Sequence, residues 1–261
     1  MKYDLAAMVK NRRPGTAAQL PVIPVPLGLE RSYLAQLRRI EHEVARGIRE
    51  IILPAYVSKL TTDADESSMS ALRLLVGAMV RAVSGQVSQL MALEGANHTK
   101  KWMTNARRAF GINLASVILE NDLEGFMEAV SLRNASLIQG FADDILKRVA
   151  TQTATSLIAG ESAATLQAKL KRQLEISDAR AWLIARDQTA KLTADLNRKR
   201  HEDAGIDSYI WRTSQDERVR PRHAALEGKR YKYGEPTGAE EGLPPGQPIQ
   251  CRCVAQAIVE F

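Results

Sequence analysis

Apolar positions recur every three or four residues along most of the chain. From Glu30 to about Lys59 they fall at Leu34, Leu37, Ile40, Val44, Ile48, Ile51 and Ala55, the spacing that paints one stripe on a helix. Pro54 should kink or end that helix. The polar run TTDADESS at 61–68 reads as a connector with capping residues, and Met69, Leu72, Val76, Met79, Val83, Val87 and Leu90 then stripe a second long helix that Gly95 is expected to close. Further helices are expected at 98–110, 113–130 and 134–159, the last capped by Asn134 and ended by Gly160. ESAATLQAKLKRQL predicts another, and a final helix is expected from a Ser177 cap to Gly205, its apolar face running Ala181, Ile184, Ala185, Gln188, Leu192, Leu196.

Beyond Gly205 the period shortens. SYIWRT (208–213), KRYKY (229–233) and CVAQAIVEF (253–261) are aromatic or β-branched and separated by Gly- and Pro-rich connections, which predicts a small antiparallel sheet. At the other end, prolines 14, 21, 24 and 26 forbid helix or central strand over residues 11–28. That segment reads as an extended arm, whose Val22, Ile23, Val25 and Leu27 would lie against a neighbour. The expected fold is therefore mainly α: long amphipathic helices with a small C-terminal α/β module containing a short antiparallel sheet. The expected divisions are an arm at 1–29, a helical domain at 30–175 and a module of helix plus sheet at 176–261.

Composition agrees with a folded chain that can bury a core. Of 261 residues, 45% are hydrophobic, 25% charged and only 5% aromatic, a balance suited to helices packing through aliphatic side chains. A formal charge of +6, from 36 basic and 30 acidic residues, leans toward an acidic partner over a mixed surface. Lys169, Lys171, Arg172, Arg198, Lys199 and Arg200 are the basic positions that could serve DNA. Two cysteines at i and i+2 cannot frame a disulfide-stapled fold, which points to a reducing compartment. The start MKYDLAAMVKNRRPG lacks the apolar core of a signal peptide, and no continuous run reaches the roughly 18 apolar residues of a membrane span. The expectation is a protein made in the cytoplasm, with no membrane partner.

The chemistry-bearing residues gather late in the chain. On the last helix Arg186, Asp187, Asn197, Arg198 and Arg200 read mostly as a solvated, salt-bridged face. SYIWRTSQDERVRPRHAALEG (208–228) then brings together Trp211, Asp216, Arg218, Arg220 and His223. An acid, an arginine and a histidine can do acid–base chemistry at a phosphodiester. The spacing fits no nucleophile motif, however, and no glycine-rich phosphate loop precedes a helix, so no enzyme and no small-molecule substrate are expected. His223, Cys251 and Cys253 could hold zinc with Asp216 or water as the fourth ligand. Only three protein ligands are evident and C-x-C is a tight bite, so the expectation is no cofactor, no stoichiometric zinc, and two reduced thiols packed as small apolar side chains.

The stretch from LIARDQTAKL to EGKRY, followed by PPGQPIQCRC, resembles the phage Mu F-like family of head-morphogenesis (minor head) proteins. The resemblance is carried by Ala185, Arg186, Thr189, Asn197, Gly205, Trp211, Thr213, Asp216, Arg218, Val219, Arg220, His223, Leu226, Gly228, Pro245, Gly246, Cys251, Arg252 and Cys253. It covers roughly residues 180–254. Relatives often carry a histidine just ahead of CRC, where this chain has Gln247 and Gln250, which weakens any shared metal site. The resemblance implies a virion assembly protein at or near the portal vertex, needed for head morphogenesis and a DNA-filled capsid. Its partners would be the portal or major capsid protein, and packaged double-stranded DNA. A nuclease-like enzyme and a sequence-independent DNA-binding protein are the rival readings. Within the module, Trp211 would anchor the first strand, Asp216 and Arg220 would pair to tie the turn, and His223 with the cysteines would pin the proline-rich loop.

Overall fold

The computed structural model describes residues 2–10, 13–59, 67–119 and 122–261; residues 61–66 of the expected polar connector lie outside them. The elements are α1 (Leu5–Met8), β1 (Ala17–Gln19), α2 (Leu27–Gly47), a π-turn (Ile48–Ile52), α3 (Leu53–Lys59), α4 (Ser67–Phe110), a 3₁₀ turn (Leu114–Ser116), α5 (Glu124–Ile158) and α6 (Ala163–Asp203). They continue with β2 (Ser208–Arg212), α7 (Pro221–Ala224), β3 (Arg230–Lys232), a second 3₁₀ turn (Glu240–Gly242) and β4 (Val254–Glu260). The mainly α fold with its small antiparallel sheet is as the periodicity predicts.

The long helices are fewer and longer than expected, for reasons that can be read residue by residue. Gly95 does not close α4. It sits inside the helix, where a Cβ would stand 3.1 Å from the Met127 sulfur, so this glycine permits a close approach. Gly111, at φ +72°, is the residue that ends the helix. Asn134 is no cap either: buried within α5, it accepts from the Tyr33 hydroxyl at 2.8 Å and donates to the Val130 carbonyl at 2.8 Å. The helices expected at 113–130 and 134–159 are thus replaced by a 3₁₀ turn and one α5. Ser177 likewise lies inside α6, its hydroxyl donating to the Gln173 carbonyl at 3.0 Å. Gly160 and Gly205, at φ +64° and +75°, do terminate α5 and α6.

Pro54 acts one turn upstream of itself. It has no N–H for the Glu50 carbonyl, and the ladder widens just ahead of it, the Leu53 N–H bonding to the Ile48 carbonyl five residues back. The widened turn absorbs an extra residue, so the buried stripe slips in phase. Tyr33, Leu37, Ile40, Val44 and Ile48 are followed by Ile52 and Tyr56, not by Ile51 and Ala55.

Because α4, α5 and α6 each run through both, the two compact units are discontinuous in sequence, and their limits differ from the linear divisions at 29 and 175. One unit comprises Met1–Leu29, Met91–Met127 and Arg186–Phe261; the other comprises Glu30–Leu90 and Glu128–Ala185. In the second, the stripe of α2 is buried together with Leu72, Val76, Val80, Val83 and Val87 of α4 and Ile138, Phe141, Ile145 and Val149 of α5. By length and composition alone α4 could cross a membrane, which the count of continuous apolar residues does not reveal. Within it Val76, Val80, Val83 and Val87 are buried, while most of its apolar window is not.

This unit also holds a misfit. Glu41 is buried in α2, its Oε1 without a hydrogen-bond partner. Burial first, and then the Asp178 charge, push its carboxyl up to about 7, opposed by Arg38. A carboxyl whose folded pKa is raised costs nothing below its unfolded value, near 4.3. The cost grows as pH rises through the folded value and stays constant above it. Glu41→Gln should therefore leave stability unchanged at pH 4 and raise it at pH 8, by roughly 1–2 kcal/mol after allowance for screening. Paired thermal melts at the two pH values check this.

In the first unit the strand order is β1-β4-β2-β3, all antiparallel. β2, β3 and β4 fall where the sequence places them, and β1 lies in the segment expected to be an extended arm. It pairs Ala17 with Glu260, Ala18 with Val259 and Gln19 with Ile258. An edge place suits a strand flanked by Pro14 and Pro21. Part of the arm is taken up by its own chain: Leu20 and Ile23 join Tyr3, Leu5, Trp102, Ile206, Ala257 and Val259 in one buried cluster, while Val22 and Val25 are half-buried and Leu27 is exposed.

Candidate functional site

The residues that carry the family resemblance are assembled by three pieces of backbone: the second half of α6, the β2–α7–β3 segment and the loop leading into β4. α6 stops in a double-bonded cap, Ile206 N–H to the His201 carbonyl at 2.8 Å and Gly205 N–H to the Glu202 carbonyl at 3.2 Å, with Gly205 left-handed. This turns the chain into β2. There Trp211 pairs with Ala255 of β4, and its backbone exchanges bonds with Gly228 and Lys229. Gly228, at φ +74°, lets the chain return from α7 into β3. α7 is a single turn opened by Pro221 at its first position, and it delivers His223 into the interior.

His223, Cys251 and Cys253 meet there, all buried, with one ligand atom from each lying within 4.8 Å of the others. His223 Nδ1 is 3.4 Å from the Cys251 sulfur and 3.7 Å from that of Cys253. Its other nitrogen, Nε2, is 2.6 Å from Glu240 Oε2. That contact, before all else, brings the Glu240 carboxyl down to about 2. The Trp211 ring stands edge-on to the imidazole at 5.4 Å and closes the cluster with Leu226, Ala239 and Tyr231. The two thiols are not equivalent. Hydrogen bonding from Cys253 brings Cys251 down to about 6 against the effect of burial, helped by the Gly246 N–H and by His223. The same pairing, together with burial, pushes Cys253 up. A cavity of about 20 Å³ opens beside the sulfurs, lined by Arg186, Ser214, Arg220, Gln250 and their neighbours.

The loop that brings in the cysteines is fastened to α6 by residues with no obvious sequence signal. Gly246 approaches the helix so closely that a Cβ would lie 2.7 Å from the Ala194 Cβ, and its N–H points at the Cys251 sulfur at 3.4 Å. Gln247 donates to Asp195 Oδ1 at 2.5 Å. Gln250 adopts a left-handed φ of +62° and gives its N–H to Asp187 Oδ1 at 2.9 Å. Both glutamines that stand near the usual histidine position therefore tie the loop, and Asp187 belongs to that tie instead of to a solvated face.

Asp216 and Arg220 do not pair with each other. Asp216 forms an ion pair with Arg252 and accepts from the Arg218 N–H at 3.1 Å. Arg220 reaches Glu240 at 3.0 Å and the Ile249 carbonyl. Pro221 starts a new helical turn immediately after Arg220, so the four-residue spacing never becomes one helical face. Arg218 is exposed. Glu227, which carries no signal in the sequence, accepts from the Thr213 N–H at 2.6 Å, its hydroxyl at 2.8 Å and Arg212 at 3.1 Å.

The basic candidates separate in the same way. Arg200 is 1% exposed; its guanidinium faces Asp122 and donates to the Thr99 hydroxyl at 2.7 Å, so it is a core ion and not a surface contact. Arg186 and Asn197 are also buried, and Asn197 accepts from His98 at 2.9 Å. Lys169 pairs with Glu161, Arg198 with Glu202 and Lys199 with Asp203. Lys171 and Arg172 are exposed.

Comparison with known proteins places most of this region within one family model. Residues 147–256 match the model described as Phage Mu protein F like protein. An uncharacterized protein of Haemophilus influenzae is 31% identical over 168 residues, covering 64% of this chain and 37% of the relative. The chain thus spans little more than a third of that relative's length. No solved structure gives a significant match.

Proposed function

We propose, on the match of residues 147–256 to the model described as Phage Mu protein F like protein, that this chain is a structural protein of phage head morphogenesis. In this reading it is a minor head protein at or near the portal vertex, needed to complete a DNA-filled capsid. It contacts the portal or major capsid protein and is virion-associated after synthesis in the host cytoplasm. The observation that carries a structural over an enzymatic role is the burial of the most reactive groups. His223, Cys251 and Cys253 are 2%, 3% and 3% exposed, and the cavity beside them, about 20 Å³, has room for one water and none for a substrate. The same groups fasten α7 and the proline-rich loop to one another, which is what a part fitted into an assembly requires. DNA is a weaker partner in this reading, since four of the six basic candidates are neutralised by carboxylates in place.

Crosslinking and density mapping of particles purified from cells producing the phage test the proposal. The expected result is a few copies of this chain crosslinked to the portal protein at one vertex. Even distribution over the capsid surface, or absence from particles at every stage of assembly, would overturn it.

A further inference from the structure

We infer that His223, Cys251 and Cys253 form a binding site for a tetrahedral soft divalent cation, zinc, with water as the fourth ligand. The sequence alone argues against this, because it offers three ligands in a tight C-x-C arrangement. The geometry changes the balance through three independent features.

The first is spacing. With Zn–S near 2.3 Å and Zn–N near 2.05 Å, the sulfur-to-nitrogen edge of a coordination tetrahedron is about 3.6 Å. The two such edges here are 3.4 and 3.7 Å. Cys251 and Cys253 lead into β4, and residues two apart in extended chain face the same side, so the C-x-C spacing presents both sulfurs to one imidazole nitrogen.

The second is the support of each ligand. Metal-bound histidines usually donate their other ring N–H to a carboxylate, which fixes the tautomer and orients the ring. Glu240 stands 2.6 Å from His223 Nε2 and is itself held by Arg220 at 3.0 Å, which leaves Nδ1 as the lone-pair donor aimed at the sulfurs. The Gly246 N–H directed at Cys251 is a matching support for a thiolate.

The third is room for the fourth ligand. A cavity of about 20 Å³ adjoins the sulfurs, close to the size of one water. Asp216, the other fourth ligand considered, is turned away to Arg252. Arg186, Arg218, Arg220 and Arg252 also line this space. Their charge opposes a bare dication, but two thiolates neutralise the ion, and the guanidiniums then favour the deprotonated sulfurs. An ion so placed clips α7 to the start of β4 and closes the loop between them.

Cobalt substitution of the reduced 261-residue chain tests the site. The expected result is one cobalt per chain, with the visible bands of a tetrahedral ion and a thiolate-to-cobalt charge-transfer band. Zinc should displace it at one equivalent. Glu240→Gln, at a partly exposed position outside the ligand set, should weaken metal affinity about 10–100-fold. Absence of these bands from the folded wild-type protein, or their persistence at full strength in Cys251→Ser, would overturn the proposal.

Discussion

Arg200→Met should destabilise the unit that contains the sheet by about 3–5 kcal/mol. Arg200 lies at the end of α6 among Asp122, Asp203 and Lys2, and Asp122 and Asp203 have side chains only 7% exposed. Burial raises the Asp122 carboxyl, but bonds from Lys2 and Arg200 outweigh it and hold the carboxyl below its ordinary value. Removing Arg200 strands that carboxylate with a half-exposed lysine as its main counter-charge, and an uncompensated buried charge is what makes such deletions costly. The backbone compounds the loss. The Lys2 and Tyr3 N–H groups bond to the Asp203 carbonyl at 2.7 and 2.9 Å, and Tyr3 accepts from Trp102 at 2.9 Å, so the N-terminal segment is seated by the same cluster. Calorimetry of Arg200→Met against Arg200→Met/Asp122→Asn is the measurement. The double variant should recover a substantial part of the loss. Equal stability of the two variants would mean that Asp122 is not the group left stranded.

Arg200 also shows why parts of this molecule were hidden in its sequence. The run NRKRHED has the composition of a solvated helix end, and nothing local distinguishes Arg198, exposed and paired with Glu202, from Arg200, which faces a carboxylate 78 positions away. Long-range partners decide burial, and a local pattern does not contain them. The glycines divide on the same principle. Gly160 and Gly205 terminate helices because they supply a left-handed residue, whereas Gly95 is inside one because Met127 needs the space; composition alone reads all three as stops. Asn134 and Ser177 are residue types that cap helices, yet both donate to backbone carbonyls of their own helix. What was legible rested on strong local grammar. The alternation of β2, β3 and β4 and the stripes of the long helices are examples, as is the meeting of His223 with the CRC motif. Glu240 was not legible, since GAEEG has no periodicity and the carboxylate gains its meaning only from the imidazole beside it.

Acid should begin to destabilise the unit that contains the sheet before most carboxylates titrate. His98 and His201 are 1% and 2% exposed, and burial depresses them to about 4 and about 3. The charge of His98 further opposes that of His201, and Arg200 adds to the effect on His98. Neutral, they fit their surroundings: His98 donates to Asn197 at 2.9 Å, and His201 Nδ1 accepts from the Tyr233 hydroxyl at 2.8 Å while its ring lies near that of Trp102. In the unfolded chain both titrate near 6.5. The unfolded state therefore binds more protons than the folded one between pH 6.5 and the depressed values. Stability is complete above about 6.5 and falls steadily as pH drops toward 4. For His98 alone the loss at pH 4 is about 3 kcal/mol, because each tenfold difference in proton affinity between the two states is worth about 1.4 kcal/mol. His98→Gln keeps a donor for Asn197 and removes the titration, so its melting temperature should fall less between pH 7 and pH 4.5 than that of the wild type. Parallel slopes for the two proteins over that interval would show that His98 is protonated in the folded state and that its burial imposes no such penalty.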